Sequence, residues 1–407
     1  MSNLALSPKE VDYLLSPLAI RDRAADIFRY TNADKGYFAI EESKFASTVK
    51  TVMDTIYKNY PTLAIPFHSR WGHFRVGGVD RVKEFELTLA KFDPMERARI
   101  KLDLVVTSVL LDAGAGPTWS FLEEITAKIF SRSEGLGVAS YYMFLAGAMS
   151  VDRKSLRADA VGLKNISVED IQKAFQVSEK NPLVGVEGRC KLLNNLGTAL
   201  ENRKIFRNER PGNLLDYLEE NHGKNIPAKA ILRAVLDGFG AIWPGRLSAN
   251  GVNLGDVWQH SKLSSVGGVE ILVPFHKLSQ WMTYSLIEPI QEAGFTVSGV
   301  EELTGLAEYR NGGLFVDSGF LRIKNPADAD KSWRPDSEFI IEWRALTIHS
   351  LDRIGAEVQK ALGKKPADFP LAKVLEGGTW WAGRFLAKEK RSNGEPPIKI
   401  ESDGTVF

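Results

Sequence analysis

Apolar residues return every three or four positions over most of this chain, which is the spacing of amphipathic helices. The first such segment runs from Leu14 to Phe28. Asp93, Pro94 and Glu96 have the form of an N-cap, a first-turn proline and a capping-box acid, and predict a helix reaching about Leu111. Gly114, Gly116 and Pro117 stop it, and residues 118–130 read as the next helix. Ser167 with Asp170 opens another over residues 168–175. The pattern predicts further helices over residues 187–202, 213–220, 228–239, 274–293 and 338–362, with Pro289 kinking or ending its helix. Strand signals are fewer: a β-branched run at 269–273, a pairing of 314–316 with 320–323, and a terminal hairpin of 398–400 with 405–407 around Ser402-Asp403-Gly404. No fixed repeat period is evident, and the most loop-like stretch, residues 324–337, is short. Residues 8–407 therefore read as one continuous, two-lobed, mainly α domain with small β elements and no linker.

Composition narrows the functional classes. The 407 residues carry 52 Lys and Arg against 51 Asp and Glu, a net charge of +1, with 44% hydrophobic and 25% charged residues. Those values exclude a disordered or collagen-like chain, and the charge balance argues against a nucleic-acid partner held by phosphate neutralisation. A lone Cys190 leaves no disulfide framework and no four-cysteine zinc site. Flanked by Arg189 and Lys191, it is either a thiol of lowered pKa or a small residue on a helix face. No run of 18 apolar residues predicts a membrane span, and the first ten residues lack a basic stretch followed by an apolar one. A cytoplasmic protein with no membrane partner is expected.

Several chemistries lack their motifs. His68 and His73 are five residues apart, not the one-face spacing of a helical zinc pair, and the other four histidines are scattered. No phosphate-loop pattern or nucleophile elbow occurs, and Gly135-Leu136-Gly137 lacks a third glycine. No metal or other cofactor is expected, which leaves carboxylates as the candidate chemistry.

Five dense patches combine charge, aromatic rings and glycine. Residues 66–78 (PFHSRWGHFRVGG) suit anion binding and stacking, or an aromatic-anchored surface loop. Residues 111–119 put Asp112 beside glycines that allow close backbone approach to a ligand, or simply join two helices. Lys277, Trp281, Tyr284 and Glu288 share a helix face, with His276 and Gln280 adjacent. Residues 303–317 bring Glu308, Tyr309, Arg310, Asn311 and Asp317 to a glycine turn. Glu342 points along an apolar helix face, where a carboxylate needs a partner; a structural pair with an Arg or His is the favoured reading.

These stretches carry a resemblance. The chain resembles the uracil catabolism protein 4 family over nearly its whole length, most specifically at residues 70–81 (RWGHFRVGGVDR), 111–119, 274–288 (PFHKLSQWMTYSLIE), 303–317 (LTGLAEYRNGGLFVD), 375–384 (LEGGTWWAGR) and 396–407 (PPIKIESDGTVF). Residues 274–352 are more distantly similar to the queuosine salvage proteins, nucleotide N-glycosidases with a DNA-glycosylase-like helical fold. Here Ser285 stands where that family's helix has an acid, and Glu308 replaces an Asp.

The resemblance implies a DNA-glycosylase-like helical body in two lobes. It also implies an N-ribosidase that cleaves the C1′–N bond of a ribosylurea or its 5′-phosphate to urea and the sugar. The developing oxocarbenium charge calls for a carboxylate near C1′. Glu308 is expected in that role, with Asp317 or Asp112 as its partner. Arg310 and Lys277 would orient carboxylates or bind phosphate, with Arg70 as the other phosphate candidate. Trp281 and Tyr284 would wall the site, and His276, His73 and Asn311 would stabilise the departing urea. Two rivals stay open: an amidohydrolase cutting a ureido bond in the same pathway, and a non-catalytic nucleotide-binding or scaffold protein.

Overall fold

Helix-start signals set the local structure of this chain. Ser7 and Glu10 form a capping box that opens Pro8–Leu14. Ser16 then caps a second helix, Pro17–Asn32, with Pro17 in its first turn. The single segment expected from Leu14 to Phe28 is therefore two helices, because Pro17 has no N–H to continue the first and favours opening the next. Asp93 caps Pro94–Leu110, and Ser167 with Asp170 forms the expected capping box of Val168–Ala174.

The computed structural model describes residues 2–112, 114–243, 247–263, 269 and 271–401. The protein is mainly helical, with small two- and three-stranded sheets. It forms two compact units: Met1–His68, Gly245–Gln280 and Gly299–Phe407 make the first, and Ser69–Pro244 and Trp281–Ser298 the second. The chain passes from the first to the second within the helix Lys277–Glu292, which continues past Pro289 for one more turn.

In the first unit the helix Glu338–Leu362 is the core element, with the run from Phe339 to Ile348 buried on every side. It packs on Pro17–Asn32 and on Tyr309–Asp317, which in turn packs on Trp380–Lys390. Residues 314–316, expected as a strand, lie inside Tyr309–Asp317. Glu308 caps that helix, and its glycines serve close packing rather than a turn. A Cβ at Gly312 would fall 2.7 Å from Trp343, and one at Gly383 would fall on the Arg310 carbonyl. Leu321–Ile323 pairs instead with Phe38–Ile40, antiparallel, with Leu321 opposite Ile40. Leu272–Pro274, at the end of the expected 269–273 strand, pairs with Val257–Gln259. Lys399–Ile400 pairs in parallel with Ser332–Trp333, and the other half of the expected terminal hairpin lies outside the described residues.

Glu342 is buried and accepts from the Thr31 hydroxyl and from the Tyr37 and Phe38 amides. Its partners are two backbone amides and the Thr31 hydroxyl rather than the expected Arg or His.

In the second unit Pro94–Leu110 runs through the core, buried from Ile100 to Leu110. Buried ion pairs stand inside this unit, among them Arg81, which grips both oxygens of Glu123, and Arg210, which meets Asp103 at 2.7 Å. Residues 118–130 form no helix. Ser120–Glu123 and Lys128–Ser131 make a hairpin with Phe121 opposite Phe130. The backbone of the first strand is completed by side-chain amides: Asn181 bonds both the N–H and C=O of Ser120, and Gln176 does the same for Leu122. Those partners lie over fifty residues away in sequence, which is why the local pattern did not reveal the strand. Cys190 is buried and donates to the Ile166 carbonyl. Burial raises its thiol pKa, so it packs as a small residue. No helix of the described residues is long and apolar enough to cross a membrane.

Candidate active site

The Tyr309–Asp317 helix begins on Glu308, whose extended backbone (φ −112°, ψ 164°) turns its carboxylate back over the first turn. Oε2 accepts from the Arg310 amide at 2.6 Å and Oε1 from the Asn311 amide at 2.5 Å. A carboxylate is favoured there by the helix dipole. Even so, its proton affinity is raised: burial outweighs the two amides and the nearby charges of Lys277 and His68. Part of the residue surface remains accessible. A desolvated carboxylate of raised proton affinity, on a residue that is not fully buried, suits proton transfer.

His68 is itself positioned. Its Nδ1 lies 2.8 Å from Glu376 Oε2, and the Tyr60 hydroxyl donates to Glu376 Oε1 at 3.1 Å. The Trp380 ring flanks the imidazole at 6.0 Å. Glu376 sits in a turn of π-helix, Leu375–Thr379, inserted before Trp380–Lys390. Such insertions recur at functional sites. Gly377 and Gly378 let this wider turn approach the helix Phe45–Asn59 and Ile65, since a Cβ at Gly377 would lie 2.6 Å from Ile65 and one at Gly378 2.7 Å from Val52. The carboxylate fixes the ring orientation, and Nε2 has no hydrogen-bond partner among the described residues.

Lys277 opens its helix with its backbone N–H on Asp256 Oδ2, 3.1 Å away. Asp256 is clamped by Arg344 through two bonds of 2.8 and 2.7 Å and also accepts from Trp258 Nε1. Burial would raise the Asp256 pKa, but the Arg344 guanidinium and the other donors hold it well below the usual carboxylate range. His276, just before the helix, is 1% exposed and adopts φ +46°. Its Nε2 faces the Leu14 carbonyl at 2.8 Å, and burial lowers its pKa, so the ring is neutral. Gln280 is wholly buried one turn on.

The second unit holds the Arg70 cluster. Arg70 is fully buried, with Nε on Ser108 at 2.7 Å and Nη1 on Asp112 at 2.7 Å, while Ser133 also donates to Asp112. Its guanidinium lies 5.6 Å from the centre of the Trp281 ring, against which His73 packs edge-on. Gly137 leaves the room: a Cβ there would sit 2.9 Å from His73 and 3.4 Å from the guanidinium carbon. Arg70 Nη2 and Trp281 Nε1 are buried donors without a protein partner among the described residues. Ser285 accepts the Arg70 N–H at 2.8 Å and donates to the Trp281 carbonyl, so it is a backbone anchor.

The expected residues thus fall into separate groups. Glu308, Lys277 and His276 belong to the first unit; Arg70, His73, Asp112, Trp281 and Tyr284 belong to the second. Tyr284 is fully buried. Asp317 is not placed beside Glu308. The two stand at opposite ends of a nine-residue helix, roughly 13 Å apart, and Arg391 binds both Asp317 oxygens. Arg310 reaches the Gly394 carbonyl, and Asn311 is fixed between Leu306 and Thr379, so both brace the fold. Glu376, Tyr60, Asp256 and Arg344 were not expected as site residues; the only sequence sign was the glycine pair before two tryptophans in residues 375–384. Among the described residues no three His, Cys, Asp or Glu side chains gather where they could hold a metal ion.

Residues 13–407 match a family described as a protein of unknown function, DUF1688. Uracil catabolism protein 4 of Lachancea kluyveri is 39% identical over 436 residues, covering 98% of this chain and 99% of the relative. The chain belongs to the uracil catabolism protein 4 family. Protein urg3 of Schizosaccharomyces pombe, 37% identical over 412 residues, covers 99% of this chain and is itself covered in full. Both matches take in the Glu308 and Glu376 segments of this family member, since each spans essentially the whole chain.

Proposed function

We propose that this protein is an N-ribosidase of uracil catabolism, hydrolysing the C1′–N bond of a ribosylurea or its 5′-phosphate. The observation that carries the reading is Glu308: a carboxylate in a desolvated setting on a half-buried residue, with raised proton affinity and Lys277 and His68 close enough to act on it. The name of the Lachancea kluyveri relative supplies the pathway. The DNA-glycosylase-like reading of the helical body belongs to the same proposal.

The reaction breaks the C1′–N bond as positive charge develops on the sugar, and a water oxygen bonds to C1′. Glu308 stabilises that charge and takes the water proton; each of its oxygens retains a lone pair beyond the one used by the capping amide. His68, oriented by Glu376, delivers a proton from Nε2 to the departing nitrogen. The products are urea and ribose or ribose 5-phosphate, and the two side chains regain their starting protonation by exchange with solvent. Lys277 offsets the Glu308 charge and keeps part of it ionised despite burial.

The test is direct. Purified protein is incubated with ribosylurea and with its 5′-phosphate, and urea and sugar are measured. Release from either supports the reading. No release from both, by protein that is folded and monodisperse, rejects it.

A further inference from the structure

We infer that Gln280 and His276 form the recognition point for an open ureido group, the –NH–CO–NH2 end of the substrate. The nature of the ligand rests on the ribosylurea reading above.

The observation is a set of buried polar atoms with nothing to bond. Gln280 is 0% exposed, and both its Nε2 and its Oε1 lack a partner among the described residues. His276 is 1% exposed, and its Nδ1 also lacks one. The two residues are one helical turn apart, joined by the Gln280 N–H on the His276 carbonyl at 2.8 Å. Buried polar groups are nearly always satisfied in folded proteins, so three such atoms on one turn point to a missing partner.

The polarity of that partner follows. His276 Nε2 faces a carbonyl and so carries the hydrogen, which makes Nδ1 an acceptor. The set is two acceptors, Oε1 and Nδ1, and one amide donor group, Nε2. A ureido group offers N–H donors on either side of one carbonyl and satisfies all three. A phosphate monoester dianion offers only acceptors and leaves the two acceptor atoms unpaired. The imide edge of uracil has one N–H between two carbonyls and meets the set with the wrong balance.

N-methylurea, uracil and inorganic phosphate are titrated into wild-type protein and into Gln280→Leu, with affinity read by NMR and ligand-free stability by thermal unfolding. Wild type binds N-methylurea in preference to the other two, and Gln280→Leu loses at least about tenfold in that affinity. The ligand-free variant unfolds at the wild-type temperature or above it, because it no longer buries an unpaired amide. Unchanged N-methylurea affinity, or equal binding of uracil or phosphate, overturns the assignment. Gln280→Met serves as the second apolar replacement; destabilisation of both variants would show that the amide has protein partners, and would also overturn it. Wild type that binds N-methylurea but cleaves no ribosylurea rejects the N-ribosidase and leaves the ureido site standing.

Discussion

Arg344 holds Asp256 by both oxygens, Nη1 to Oδ1 at 2.8 Å and Nη2 to Oδ2 at 2.7 Å, and that same carboxylate receives the backbone N–H of Lys277. The pair therefore anchors the start of the Lys277–Glu292 helix. Arg344 is 1% exposed and the Asp256 side chain 15%. Arg344→Met leaves a largely buried carboxylate uncompensated, and about 3–5 kcal/mol of destabilisation is expected in denaturant unfolding. The double variant Arg344→Met/Asp256→Leu should recover part of that loss, because no unpaired charge remains. The depressed Asp256 pKa adds a pH signature. Its contribution to stability is present above the unfolded carboxyl pKa and lost as pH falls through the lower folded value, so wild type loses it only in strong acid.

Glu308→Gln removes the proton acceptor and keeps the side-chain length. Urea release from the active substrate is expected to fall by about 10²–10⁴-fold. Only one oxygen is left to cap the helix, so a stability loss on the order of 1 kcal/mol should accompany it. In wild type the acid limb of kcat/KM should lie above the ordinary glutamate range, because burial raises the Glu308 pKa. Undiminished turnover in the variant removes Glu308 from the mechanism.

In the proposed mechanism Glu376 acts through His68 rather than on substrate. Glu376→Gln retains a hydrogen-bonding side chain but withdraws the negative charge beside the His68 ring. The expected result is a lower kcat with little change in KM. A change in KM alone would make the residue a packing element.

Burial pushes the Glu342 pKa up to about 7, against the opposing pull of the Tyr37 and Phe38 amides, the Thr31 hydroxyl and Lys324. Its folded pKa exceeds the unfolded one, so its contribution to stability is complete below about pH 4.5 and is lost as pH rises through 7. Glu342→Gln cannot ionise. Its melting temperature relative to wild type should therefore rise between pH 5 and pH 8; a constant difference across that range would show that Glu342 does not titrate there.

Gly312 is required by packing. A Cβ there would lie 2.7 Å from the Trp343 indole, whose Nε1 donates to the Gly312 carbonyl. Gly312→Ala should cost about 1–3 kcal/mol in unfolding experiments. Gly72→Ala is the control, since a Cβ at Gly72 meets nothing within 4 Å. Equal effects at the two sites would contradict the packing argument.

Periodicity and caps were enough to place most helices. Ala228–Phe239 and Glu338–Leu362 follow the apolar pattern end to end, and Ser167 and Asp93 start the helices they announce. These signals act within a turn or two of chain, so they are legible in one dimension. Glu308 came from the family resemblance, and the helix it caps was not legible, because residues 314–316 read as a strand. Nor were its partners. Residues 118–130 became a hairpin because Asn181 and Gln176 complete its edge. Asp317 was lost to Arg391, 74 residues away. Glu376 met His68 from 308 residues away, and Arg344 met Asp256 from 88. The sequence by itself determined the helical elements, the family and the acid that carries the proposed chemistry. The tertiary structure alone decided which charges are paired, which donors are left open and which carboxylates are desolvated, because pairing and desolvation depend on groups brought together from distant parts of the chain.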